Sequence, residues 1–195
     1  AERVNATVQE NMSTVTENLI NIYNIFSLYP EEYFKNNNLT LVILDKFSNN
    51  NIALASRNNL NQYKIYISNA EDYDRALNHE MYHVFEYMIS SQVSELNDIW
   101  IGLNPVDFEY NSNVYKLTDE YVYDKTDADF SDTYFVTKYS KASSKEDRAE
   151  VFAEIMTFNK KNQTYFLHGN NPIVTKAKCI IDVMSNEYKQ NEKLI

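Results

Sequence analysis

Apolar residues recur along the chain with two different periods, and the change from one to the other lays out the elements. From Val4 to Leu28, the residues Val8, Met12, Val15, Leu19, Ile22 and Phe26 fall three and four apart and mark one helical face, expected to pack on a sheet. Leu39 to Leu44 (LTLVIL), Ile52 to Ser56 (IALAS) and Tyr63 to Ser68 (YKIYIS) are short, carry β-branched or aromatic residues and are separated by Asn-rich turn segments, so they read as strands. Within RALNHEMYHVFEYMI (Arg75 to Ile89) the helical period returns: Leu77, Met81, Val84, Phe85 and Met88 form a core face, while His79 and His83 project from the other side.

Periodicity is then lost between Asn104 and Asp132, where Tyr, Asn and Asp gather; a long surface connection of the kind found around active sites is expected there. A helix begins near Ser143 or Ser144, since both have capping-box spacing (Ser143 to Glu146, Ser144 to Asp147) and an acidic first turn suits the helix dipole. Ala149, Phe152, Ala153 and Met156 form its core stripe, and Ile173, Ala177, Ile180, Ile181 and Met184 mark a closing helix from Ile173 to Tyr188. The expected class is therefore α+β. A small mixed sheet is packed by an N-terminal helix and the histidine helix, and a mostly helical C-terminal part follows.

With 195 residues, two glycines and three prolines, the chain shows no linker and no repeat, and a single domain over 1–195 is expected. Residues 1–90 would hold the helix, sheet and histidine helix, and 91–195 the long loop and later helices. Twenty-eight acidic against 18 basic side chains give a net charge of -10, which repels phosphate backbones and argues against nucleic acid as a partner. No apolar run approaches the roughly 20 residues of a membrane span. The lone Cys179 cannot close an internal disulfide and sits in the apolar run AKCIIDVM as a buried, inert thiol.

Candidate chemistry centres on His79-Glu80-x-x-His83. Four residues apart on a helix, the two imidazoles reach one ion from the same side, as zinc requires of two of its four ligands. Glu80 would lie over the water in the open position, where a general base belongs. A third ligand must be found elsewhere. The positions three and six after His83 are Glu86 and Ile89, not Gly and His, which excludes the metzincin pattern. An unbroken helix carries Glu86 about 4.5 Å further along the axis, so it reads as a solvated group or one behind the ligands. His168 lies in a turn-like stretch without ligand spacing. Glu146 is the better candidate, because it borders the apolar stripe of its helix and points inward, and Glu150 one turn on could accept the second ring N–H of a ligating histidine. The plain alternative is an exposed acidic helix start. Asp124 to Asp132 (DKTDADFSD) lacks the central glycine of a calcium loop and reads as a solvated acidic loop.

ALNHEMYHVFE, followed by FVTKYSKASSKEDRAEVFAE, resembles the gluzincin-type peptidases related to the catalytic domain of anthrax lethal factor, a group that includes clostridial Pro-Pro endopeptidases. The resemblance spans roughly Asn69 to Phe158, and IWIGLNPVDFEY is similar to bacterial zinc peptidases of this kind. It implies a zincin-like fold, one Zn2+ per chain held by His79, His83 and Glu146, Glu80 as base and Glu150 behind the ligands. It also implies that Tyr139, seven residues before Glu146, faces the cleft and stabilises the oxyanion. The expected activity is zinc-dependent endopeptidase cleavage of an extended peptide or protein substrate, by a monomer secreted from or displayed on a bacterial cell. IALAS is the expected edge strand to which such a peptide would add. Two rival readings keep the metal: a zinc hydrolase of non-protein substrates, and a non-catalytic zinc-containing binding domain. A purely structural helical protein would hold no metal.

Overall fold

The computed structural model describes residues 6–8, 12–35, 38–47, 51–68, 73–89, 93–113, 134–157 and 171–192. The acidic stretch Asp124 to Asp132, His168 and most of the long connection fall outside them. By its internal contacts the chain divides into two compact units, Ala1–Tyr87 and Met88–Ile195.

The first unit is built on a mixed sheet. Its strands are β1 (Ala6–Val8), β2 (Leu39–Phe47), β3 (Ala53–Arg57) and β4 (Tyr63–Ser68), in the order β1-β2-β4-β3. β2 and β4 run parallel, with Leu39 opposite Tyr63 and Leu44 opposite Ser68, while β1 on β2 and β3 on β4 are antiparallel. The central β4 alternates as a half-buried strand should: Tyr63, Ile65 and Ile67 are buried and Lys64 is exposed. β3 is an edge strand, as IALAS was expected to be. The N-terminal helical period does not hold throughout. Ala6–Val8 pairs with Phe47 to Leu44 as a strand, and helix α1 begins only at Met12 (Met12–Phe26). Pairing with β2 overrides a pattern that fits a helix equally well.

A short helix α2 (Glu31–Lys35) follows α1, and the histidine helix α3 spans Tyr73–Met88. The phenols of Tyr29 and Tyr33 pin α3 from that corner, Tyr29 donating to Asn78 Oδ1 and Tyr33 to the Met81 carbonyl at 2.9 Å. α3 is buried all round from Leu77 to Phe85, so its polar face is enclosed as fully as its apolar one. Met88 is half-buried rather than core. Glu86 is buried as well, so of its two readings, solvated or behind the ligands, the solvated one does not hold.

Among its described residues the second unit is helical: α4 (Val93–Gly102), a 3-10 turn at Tyr139–Lys141, α5 (Ser144–Met156) and α6 (Pro172–Glu192). Ser143, not Ser144, caps α5. Its backbone is extended (φ -161°, ψ 161°) and its Oγ accepts from the Glu146 N–H at 3.2 Å. Ser144 is the first helical residue and donates to Asn97 Oδ1 on α4 at 2.6 Å. Residues Glu146 to Ala153 of α5 are all buried. On α6 the core stripe is Ile173, Val174, Ala177 and Ile180, whereas Ile181 is exposed. Among the described residues no helix is long and apolar enough to cross a membrane.

One acid organises this unit. Asp147 Oδ2 accepts from Trp100 Nε1 at 2.7 Å, Tyr110 Oη at 2.9 Å and Lys176 Nζ at 2.7 Å. The Lys176 and Asp147 side chains are 0 % exposed. The Lys176 ammonium also donates to the Tyr134 carbonyl at 2.8 Å and lies 4.4 Å from the centre of the Phe135 ring. Burial pushes the Asp147 carboxyl up, and Lys176 and the donors of Trp100 and Tyr110 pull it back. Burial pushes the Tyr110 hydroxyl up, and the Asp147 charge raises it further. α4, the chain around Tyr110 and α6 are thereby tied to the first turn of α5.

Candidate metal centre

His79 and His83 sit one turn apart near the middle of α3, both buried. Their rings meet edge-on, with centroids 4.7 Å apart at 86°, and the two Nε2 atoms are 3.1 Å apart. Tetrahedral zinc, with bonds of 2.0 to 2.1 Å, sets its ligand atoms roughly 3.3 Å apart. The 3.1 Å contact is a hydrogen bond between the two rings, and its length is close to the spacing of two zinc ligands.

Glu80 reaches the sheet. Its Oε2 accepts the backbone N–H of Ala55 in β3. That donor is free of the sheet for a geometric reason. In the β3–β4 pair, Ser68 N–H donates to the Ile52 carbonyl at 2.9 Å and Asn58 N–H to the Gln62 carbonyl at 3.1 Å. The even-numbered residues of β3 therefore face β4, and Ala53, Ala55 and Arg57 turn their backbone groups outward. Glu80 takes the middle one of these outward donors.

Glu146 lies in the first turn of α5, where the Ser143 cap satisfies its N–H, and the residue is 8 % exposed. His79, His83 and Glu146 form a buried group in which one possible ligand atom from each lies within 4.8 Å of the others, and such a group could hold a metal ion. Two imidazole nitrogens and a carboxylate oxygen are a donor set that suits zinc with a fourth position left open.

Glu150, one turn after Glu146, is 1 % exposed, and its Oε2 accepts from the Thr137 hydroxyl at 2.8 Å. This partner was not legible as one, since Thr137 belongs to no motif; the only sequence sign is its place two residues before Tyr139. Tyr139 itself opens the 3-10 turn and is half-buried. Cys179 is half-buried rather than enclosed, and burial together with Asp182 pushes its thiol up, which keeps it inert.

No family model, curated protein or solved structure matches the chain.

Proposed function

We propose that the chain is a zinc endopeptidase with a zincin-like catalytic centre, in which His79, His83 and Glu146 hold the metal. The observation that carries this is the buried His79-His83-Glu146 group, with Glu80 next in the chain to one of its members. Zinc bound there supplies a Lewis acid for the scissile carbonyl and lowers the pKa of a water toward about 7.

The remaining roles fall to the chain. Glu80 takes the proton of the attacking water and passes it to the leaving amine, and the Ala55 N–H holds its carboxylate on one side while it does so. Tyr139 donates its phenol hydrogen bond to the developing oxyanion. An extended peptide lies along β3, where the outward groups of Ala53 and Arg57 pair with its main chain and demand little of its sequence. This peptide-binding edge favours a protein substrate over a small non-protein one.

The test is direct. Elemental analysis of the purified chain should find about one zinc per molecule, and a peptide-library digest read by mass spectrometry should show internal cleavages. Glu80→Gln should keep the zinc and lose the cleavages. A chain that takes up no zinc on reconstitution, or a Glu80→Gln variant that cuts as fast as the parent, overturns the proposal.

A further inference from the structure

The turn that carries Tyr139 is held by more than its own backbone. Thr137 Oγ1 accepts from the Ser140 N–H at 3.2 Å, and Ser140 Oγ accepts from the Thr137 N–H at 3.3 Å, a reciprocal pair closed around Tyr139. Two backbone bonds continue the turn into the α5 cap, Lys141 N–H to the Lys138 carbonyl at 3.1 Å and Ala142 N–H to the Tyr139 carbonyl at 3.0 Å. The proton of the Thr137 hydroxyl then goes to Glu150 Oε2 at 2.8 Å.

That last bond closes a ring. Thr137 and Glu150 are 13 residues apart in the chain, and both Tyr139 and Glu146 lie on the segment between them. Glu150 stands one helical turn from Glu146 on a rigid helix, so a hydrogen bond to Glu150 fixes the turn relative to the same helix that presents Glu146. Thr137, Ser140 and Glu150 are 4 %, 0 % and 1 % exposed, and a hydroxyl bond to an enclosed carboxylate is of the stronger, charge-assisted kind. A hydroxyl that both accepts from Ser140 and donates to Glu150 has a fixed rotor, so the bond is directional in both senses.

We infer that Thr137 is a positioning residue: through Glu150 it staples the Tyr139 turn to α5 and so sets where the Tyr139 phenol stands relative to Glu146. The inference rests on the role given to Tyr139 in the proposed peptidase. It also gives Glu150 a task that the motif alone does not suggest.

Thr137→Val keeps the side-chain shape and removes the hydroxyl, whereas Thr137→Ser keeps the hydroxyl. Two readouts are taken on the zinc-loaded chain. Amide exchange of residues 137–142 follows the turn itself, and steady-state cleavage of a peptide found in the library digest follows its consequence. Thr137→Val should lose protection across the turn, keep its zinc and keep KM, and lose about tenfold or more in kcat, a fraction of what one oxyanion donor contributes. Thr137→Ser should behave like the parent. In a Tyr139→Phe background Thr137→Val should cost nothing further, because the group it positions is gone.

Unchanged protection of the turn in Thr137→Val overturns the staple, and so does a kcat loss that is equally large with Tyr139 present and in the Tyr139→Phe background. Exchange is measurable whether or not the chain cuts peptides. An inert parent whose turn still loosens in Thr137→Val therefore counts against the peptidase and not against the staple. If Thr137→Val does not fold, Thr137→Cys, with a weakly donating thiol, takes its place.

Discussion

Replacing Lys176 by methionine isolates a fully enclosed ion pair of the helical unit. Methionine nearly matches the volume of the lysine stem and fills the space between Trp100 and Phe135, so little packing is lost. What goes is the ammonium, 2.7 Å from Asp147 Oδ2 and 2.8 Å from the Tyr134 carbonyl, at a site where both side chains of the pair are fully enclosed. Asp147 keeps its Trp100 and Tyr110 donors but loses its countercharge. Removing one partner of a buried pair costs about 3 to 5 kcal/mol, because the other charge is left uncompensated. For a chain of this size that corresponds to a fall of roughly 6 to 20 °C in Tm. Trp100 is the chain's only tryptophan and donates to the same carboxylate oxygen, so its emission in a urea titration reports on this site directly. Asp147→Asn combined with Lys176→Met removes both charges and should recover more than half of the loss. A Lys176→Met variant within about 1 kcal/mol of the parent, the range of an exposed pair, would show that this pair carries no buried charge to compensate.

Three further outcomes follow from features already described. Ser143→Ala should cost about 1 kcal/mol of stability by removing the acceptor of the Glu146 N–H, and it should weaken zinc retention against a chelator, since that cap fixes the turn bearing Glu146. Because burial and the Asp147 charge raise the Tyr110 pKa above its ordinary value of 10, the stability this group contributes is complete below pH 10 and is lost as pH rises through the folded-state value. Urea midpoints should therefore fall as pH rises above about 10, the ordinary tyrosine value, and Tyr110→Phe should flatten that fall. Stripping the metal should lower Tm, and readdition at about 100 times its dissociation constant should restore about 2.7 kcal/mol; a zinc-independent Tm contradicts the assigned ligands.

The parts of the fold that could be read from sequence are those whose signal is local. β2, β3 and β4, the histidine helix and a cap at Ser143 or Ser144 each rest on residues close together in the chain, where period and capping chemistry speak; the choice of Ser143 came from the fold. The strand at Ala6–Val8 was hidden because three residues acquire a conformation only from their partner, here β2. α4 carries its buried Leu96 and Trp100 beside exposed Ile99 and Ile101, which blurs the apolar stripe that would announce it. On α6 the exposed Ile181 and the buried Lys176 invert the usual preferences. A lysine on a core face is legible only with its acid, and Asp147 is 29 residues away. The same holds at the candidate site: His79, Glu80 and His83 form a contiguous motif, Glu146 was reachable by the inward face of its helix, and the bond from Thr137 to Glu150 exists only in the folded chain.

The grip of Glu80 on Ala55 also bears on how the chain behaves in a crowded solution. An outer strand with a full row of unsatisfied amides invites stacking by a neighbouring molecule, and proteins commonly blunt such rims with charge. β3 spans five residues, and an anionic side chain from its own helix occupies the central amide of the three that face away from the sheet. The rim is thus split into two short stubs, enough to detain a passing segment briefly yet too broken to nucleate a growing fibre, so Glu80→Ala should aggregate faster than Glu80→Gln, whose amide oxygen can still cap Ala55.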